Sequence, residues 1–198
     1  MTAKILVIGD VMLDIYIYGD VTRLSQEAPV PVVKQTRREY RAGAAANVAM
    51  NCASLGAEVT LIGMTGADEG NEQLSECIKG RSIAAYLLQD ERIDTTQKLR
   101  IIARNQQITR VDIEQTADST MLTALALKQI PDHDIIVFSD YGKGALADVD
   151  KLIRHAKNCG KTALIDPKGH GHGRYAGADL VKPNLDEIRE RTGGWSAG

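Results

Sequence analysis

The sequence predicts an α/β fold, a mostly parallel sheet flanked by helices with a second, smaller sheet projecting from it. Two observations carry this. After residue 43, short apolar runs alternate with helix-like stretches, the pattern of parallel strands joined by crossovers. Two stretches, near 15–40 and 98–113, instead alternate apolar and polar residues and read as strands with one wet face.

The first element is "KILVIG" at 4–9, an apolar run ending in glycine, as in a buried parallel strand. "DIYIYGDV" and "VPVVKQTRREYR" follow as half-exposed strands, separated by the turn-rich "SQEAP". Gly43 to Leu55 reads as a small-residue helix closed by Gly56, with Gly43 as its flexible entry turn. "EVTLIG" is a buried strand and "DEGNEQLSECIKG" a polar-faced helix ending at Gly80. "RSIAAYLLQ" is a further strand. "KLRIIARNQQITRVDIE" reads as a hairpin turning near Asn105-Gln106. Then come a helix at "STMLTALALKQI", a strand at "DIIVFSD", a helix at "DVDKLIRHAKNCG" and strands at "TALID" and "ADLVK". In "VKPNLDEIRERT", Pro183 ends a strand and Asn184 caps a helix, with Glu187 three residues on as its capping partner.

The chain has 198 residues, 43% hydrophobic and 25% charged, enough for one domain with a sizeable core. Aromatics are only 4%, so Ile, Val, Leu and Ala supply the packing. A net charge of −2 with both signs interspersed excludes a basic nucleic-acid surface. No apolar run approaches a membrane span, and Met1-Thr2-Ala3-Lys4 leads straight into a strand, without room for a signal peptide. A cytoplasmic protein is expected. Cys52, Cys77 and Cys159 have no CxxC spacing and read as buried free thiols.

Several residues fall where chemistry is done. Asp10, Asp14, Asp140 and Asp166 follow predicted strands, at the sheet edge where α/β proteins bind ligands. Such acids bind sugar hydroxyls or organise a metal; the alternative is that each caps a turn. "RAGAAANVAMN" places tiny side chains around a helix N-terminus, with Asn47 as the lone polar group; tight helix–sheet packing explains the same pattern. "GKG" at 142–144 reads as a turn with a lysine. "GHGHG" at 169–173 reads as a mobile glycine loop without zinc spacing. Lys98, Arg100 and Arg104 share one face of an ideal strand, suited to an anion or equally to a solvated surface. There is no GxxxxGK[ST] and hence no P-loop.

Taken in order, "ILVIGDVMLDIYIYGDVTRLSQEAPVPVV", "RAGAAANVAMNCASLGA", "TTQKLRIIARNQQITRVDIE", "SDYGKGAL" and "DPKGHGHGRYAGADLVKPNLDE" resemble one family along essentially the whole chain. That family is the heptose 7-phosphate kinases, commonly the amino-terminal half of a bifunctional ADP-heptose synthase, within the ribokinase-like (PfkB) sugar kinases. The resemblance implies a ribokinase-like fold with a β-sheet lid, formed by about 15–40 and 98–113, through which members homodimerise. It implies ATP- and Mg2+-dependent phosphorylation of the anomeric hydroxyl of D-glycero-β-D-manno-heptose 7-phosphate, toward ADP-heptose and lipopolysaccharide core. By resemblance Asp14, Gly43 and Asn47 contact the sugar, and Lys98 and above all Arg104 are candidates for the 7-phosphate. Asn184, Leu185, Asp186 and Glu187 match the "NxxE" element associated with ATP and magnesium, with Glu187 reaching the metal through water. Lys168 is a candidate phosphate contact.

The chain departs from the family at three places. The paired glycines read Gly43-Ala44, the "SPEAPVPV" proline is Gln26, and the "GAGD" segment is missing. In the family that segment carries the base and the anion hole for the transferring phosphoryl group. Residues 1–198 are therefore expected to form an incomplete kinase domain, weak or inactive alone, with no catalytic base of its own. The competing expectation is a non-catalytic sugar-phosphate-binding or dimerisation module built on the kinase fold.

Overall fold

The computed structural model describes residues 2–168 and 172–192. Its elements are β1 (Lys4–Gly9), β2 (Val11–Leu24), β3 (Pro31–Ala44), α1 (Ala45–Ser54), β4 (Glu58–Thr65), α2 (Glu69–Ile78), β5 (Ile83–Gln89) and β6 (Gln97–Ala103). These are followed by β7 (Gln106–Ile113), α3 (Thr120–Gln129), β8 (Ile135–Ser139), α4 (Val149–Asn158), β9 (Thr162–Asp166), β10 (Leu180–Val181) and α5 (Leu185–Thr192). Gly169, His170 and Gly171 of the glycine loop lie outside the described residues.

The main sheet has six parallel strands in the order β10-β9-β8-β1-β4-β5. Alternation along β1 divides its side chains between the two faces. Leu6 and Ile8 pack with Phe138, Leu122 and Leu152, under α3 and α4. Val7 packs with Leu61, Leu74 and the fully buried Ala45, Ala46 and Ala49, under α1 and α2. The small residues of α1 thus bring a helix close to the sheet.

The second sheet, in the order β3-β2-β6-β7, joins two antiparallel hairpins through a parallel β2–β6 contact. It is the projecting lid that the alternating stretches predict, but its first strands are longer. β2 starts at Val11, one residue after β1, and β3 returns to Ala44. The first-turn residues 43 and 44 are therefore strand, not helix. Asp68 anchors this lid to the body. Its carboxylate accepts from Asn71 N at 2.9 Å, capping α2, and from Thr95 Oγ1 at 2.6 Å and Thr95 N at 2.8 Å, just before β6.

The entry to α1 differs from expectation in a second respect. The positive φ belongs to Ala44, at φ 50° and ψ −129°, whereas Gly43 is an ordinary ladder residue opposite Met12. The ladder holds Gly43 extended, so the reversal into α1 falls on the next residue. An L-residue with a Cβ is strained there by about 1–3 kcal/mol. Ala44→Gly is accordingly expected to stabilise the chain by about 0.5–1 kcal/mol, after the extra unfolded-state entropy of glycine is subtracted. A rise in Tm of about 1–4 °C would register it; an unchanged or lower Tm would show that the strain is absorbed elsewhere.

The lid hairpin turns at Arg104-Asn105, both with positive φ (50° and 61°), one residue earlier than predicted. Two such residues match the backbone twist of a two-residue hairpin. The three cysteines are free and half-buried rather than buried. Among the described residues no helix is long and apolar enough to cross a membrane.

Candidate active site

Two of the strand-end acids hold the scaffold. Asp10, between β1 and β2, is buried and accepts backbone N–H bonds from Tyr141 at 2.7 Å and from Lys143 and Ala145 at 3.1 Å. Burial, reinforced by the charge of Asp140, pushes its carboxyl above the ordinary value, against the pull of those three donors. Asp140 is buried too, and accepts from Gly142 N at 2.9 Å and Tyr175 Oη at 2.8 Å. Together they fold 141–145 into a fixed turn, with Lys143 paired to Glu114 at 2.6 Å. Asp166, at the end of β9, pairs with Lys182 at 3.2 Å.

Asp14 is placed differently. It lies four residues beyond Asp10 on the polar face of the lid, where Arg100 Nη1 donates to its Oδ1 at 2.5 Å. Both side chains are mostly covered, at 19% and 22% exposure, so the pair is sheltered from the screening that weakens surface ion pairs. Its Oδ2 lies against the Cα of Gly43: a Cβ there would stand 2.6 Å from it. Gly43 thus serves by its lack of a side chain rather than by its φ. Asn47, in the first turn of α1, is exposed, and its side chain makes no hydrogen bond among the described residues. Asp14 and Asn47 line one cavity of about 580 Å3, together with Arg41, Met50, Lys79 and Arg81.

The lid cations are distributed unevenly. Lys98 stands opposite Asp14 in the β2–β6 register, half-buried and without a carboxylate at ion-pair distance among the described residues. Arg100 and Arg41 both lie over the Tyr16 ring, at 5.1 and 4.5 Å from its centroid. Arg104 does not join them. It follows the end of β6, six residues past Lys98 or roughly 20 Å along an extended strand. There its exposed guanidinium donates to the Val21 carbonyl at 3.1 Å.

At the start of α5, Asn184 and Glu187 form the predicted reciprocal cap. Asn184 N donates to Glu187 Oε2 at 2.7 Å, and Glu187 N donates to Asn184 Oδ1 at 2.9 Å. One Glu187 oxygen is left over, which suits a metal-bound water rather than direct chelation. Asp186 pairs with Arg189 at 3.4 Å, Leu185 is exposed, and the Lys168 ammonium sits 6.0 Å from the Tyr141 ring centroid. Among the described residues no group of three or more His, Cys, Asp or Glu is arranged to hold a metal ion.

Burial raises the Tyr141 phenol above its ordinary value, and the charge of Asp166 adds to the effect against that of Lys182. Arg100, which pairs with Asp14, and Lys79 and Arg81, which follow α2 and line the same cavity, are neighbours of Asp14 and Asn47 that sequence reasoning did not place there. Only Arg100 left a trace, as one of the hairpin cations.

This architecture is ribokinase-like. The Agrobacterium tumefaciens carbohydrate kinase superposes with a TM-score of 0.78 at 18% identity, over 97% of this chain and 64% of its own. Arabidopsis thaliana ribokinase, solved with ribose and ATP, superposes at 0.71 and 16% identity, over 98% and 64%. Residues 2–194 match the sequence pattern of the pfkB family carbohydrate kinases, and the chain belongs to that family. The D-beta-D-heptose 7-phosphate kinase of Bordetella bronchiseptica is 47% identical over 98% of this chain. The bifunctional protein HldE of Chromohalobacter salexigens is 44% identical over 96% of it. The chain spans 63% of the former and 41% of the latter.

Proposed function

We propose that this chain carries the sugar side and part of the nucleotide side of a heptose 7-phosphate kinase. In this reading Asp14 and Asn47 accept and donate hydrogen bonds to sugar hydroxyls, and Gly43 keeps the space that Asp14 needs. Lys168 and the Asn184–Glu187 cap face the ATP phosphates, and Glu187 holds magnesium through water. The reaction is phosphorylation of the anomeric hydroxyl, toward ADP-heptose and lipopolysaccharide core, in the cytoplasm. The observation that carries the reading is the meeting of Asp14, laid over Gly43, with Asn47 in one cavity. A relative at 47% identity, named as a D-beta-D-heptose 7-phosphate kinase, supports the choice of substrate.

A homodimer through the lid belongs to the same reading. Ile15, Ile17, Leu99, Ile101 and Val111 share the lid face opposite Asp14 by register. Ile15 is buried against the body, whereas Val111, farther out, is 48% exposed. An apolar face that outruns its own covering helix suits a second lid.

The test is a calorimetric titration with D-glycero-β-D-manno-heptose 7-phosphate, alongside ADP release in the presence of Mg-ATP. A polypeptide of these 198 residues alone contains no GAGD sequence. It is expected to bind the sugar, yet to release ADP several orders of magnitude more slowly than ordinary kinases, since a base and anion hole supply that much. Sugar binding with indifference to Mg-ATP would favour the non-catalytic module instead. A folded sample that binds no heptose phosphate would refute both.

A further inference from the structure

We infer that the outer edge of β5 is an interface between two copies of this chain, in which β5 pairs antiparallel with itself about a two-fold axis at Tyr86. This surface is separate from the lid and does not rest on the sugar reading. β5 and β10 are the two edges of the main sheet among the described residues. β10 is only Leu180–Val181, and a very short edge strand is one way that sheets avoid further pairing. β5 runs from Ile83 to Gln89, and its sequence IAAYLLQ carries no charge and no proline. Its register against β4 is unbroken, so no bulge twists the edge away. Ala84, Ala85 and Tyr86 are exposed at its middle.

The ladder settles which backbone groups of β5 lack a neighbour. Asp90 N, just past the strand, donates to the Thr65 carbonyl at 2.9 Å. By alternation Ala84, Tyr86 and Leu88 also bond toward β4, whereas the N–H and C=O groups of Ile83, Ala85, Leu87 and Gln89 turn outward. These same four residues line a cavity of about 490 Å3 between the strand and α2. A two-fold axis at Tyr86 sets Ile83 opposite Gln89 and Ala85 opposite Leu87 of the second copy. Every outward group then has a partner.

This register complements itself, which is why the occupant is a second copy rather than an unrelated strand. Ala85 faces Leu87 on the side of the sheet covered by α2, and Ala84 faces Leu88 on the other, small against large each time. Two residues beyond the strand ends, Arg81 falls opposite Glu91, twice by symmetry. Both are exposed, and neither has an opposite charge at ion-pair distance among the described residues. Arg81 uses only its Nε, which donates to the Cys77 carbonyl at 3.3 Å. Sliding the register by two residues either way sets Leu87 against Leu87 or Ala85 against Ala85, and separates Arg81 from Glu91.

The experiment is disulfide trapping of the full chain under mild oxidation, with Tyr86→Cys, Ala84→Cys and the unmodified chain, which retains Cys52, Cys77 and Cys159. Position 86 faces its own copy in a non-hydrogen-bonded pair, with Cα atoms about 4.5 Å apart, within disulfide range. Position 84 lies about 13 Å along the strand from its own copy, beyond that range. Tyr86→Cys should therefore trap a covalent dimer, and the other two chains should not. Arg81→Glu or Glu91→Arg added to Tyr86→Cys should slow trapping by about tenfold, and both together should restore it. Sedimentation of Arg81→Glu, Glu91→Arg and the double variant with Tyr86 intact reads the same surface should position 86 not tolerate cysteine. Neither residue lies in the lid, so a lid dimer would not respond. Trapping in Ala84→Cys as fast as in Tyr86→Cys, or no trapping in a folded Tyr86→Cys chain, overturns the proposal. Self-association indifferent to both charge changes overturns it too.

Discussion

Gly43→Ala is expected to weaken binding of heptose 7-phosphate by about a hundredfold, equivalent to about 2.7 kcal/mol, in a chain that still folds. The added Cβ would stand 2.6 Å from Asp14 Oδ2 and 2.7 Å from Met12 Cγ. Met12 is buried and paired with Gly43 across the β2–β3 ladder, so it has little room to yield. Asp14 must then rotate away, breaking its 2.5 Å contact with Arg100 and turning its carboxylate from the cavity it shares with Asn47. Overpacking of this kind costs about 1–3 kcal/mol in stability, so Tm should fall as well, but by less than unfolding requires. Gly173→Ala is the matching control. No atom lies within 4 Å of the added Cβ there, and the backbone is not left-handed, so affinity and Tm should both hold. Gly43→Ala binding within threefold of the unmodified chain would mean that Asp14 does not touch the sugar.

The legible parts of the sequence were those where one local pattern has one structural solution. β1, β4, β8 and β9 are apolar runs too short for helices, and each is a strand of the parallel sheet. The alternation "DIYIYG" specifies a half-buried strand, and the Asn184–Glu187 spacing specifies a reciprocal cap that the hydrogen bonds reproduce. What stayed hidden depends on distant partners. Gly43-Ala44-Ala45 suits a strand end or a helix start equally. The ladder opposite Met12 and Val11 decides for strand as far as Ala44, moving the strained turn onto a residue that local reasoning took as helical. The parallel β2–β6 pairing joins segments some eighty residues apart, and only that pairing brings Arg100 to Asp14.

Arg104 shows the same limit from the opposite side. Period-2 counting puts it on the face of Lys98 and Arg100, but that counting assumes a continuous strand. β6 ends at Ala103, with a register shift at Ile101/Ile102, and Arg104 becomes a turn residue. Lys79 and Arg81, by contrast, read as ordinary cations near a helix end. Nothing in "IKGRS" reveals that α2 stops beside the cavity that begins at Asp14.

Asp10→Ala should be the most destabilising single change outside the apolar core, at about 3 kcal/mol, lowering Tm by about 6–12 °C. Its carboxylate is the shared acceptor for the N–H groups of Tyr141, Lys143 and Ala145. Alanine leaves all three donors without it, in a turn where Gly142 and Gly144 already adopt positive φ and where Ala145 is buried. An unsatisfied buried donor costs about 1–3 kcal/mol, and the three costs will not add fully, because the outer part of the turn can relax into water. Asp10→Asn separates charge from shape, since its amide keeps one acceptor oxygen. The pH dependence then follows from the raised carboxyl of Asp10. The folded chain holds this proton more tightly than the unfolded chain, whose Asp value is near 3.8. Above that value the native state is the one with more bound protons, so this group's contribution to stability falls as pH rises, until the folded-state value is passed. The stability of the unmodified chain minus that of Asp10→Asn should therefore decline with pH in that window and level off above it. Chemical denaturation at a series of pH values measures the difference. A difference that grows with pH would mean that the three N–H donors outweigh burial, and that the turn binds Asp10 as a stabilised anion.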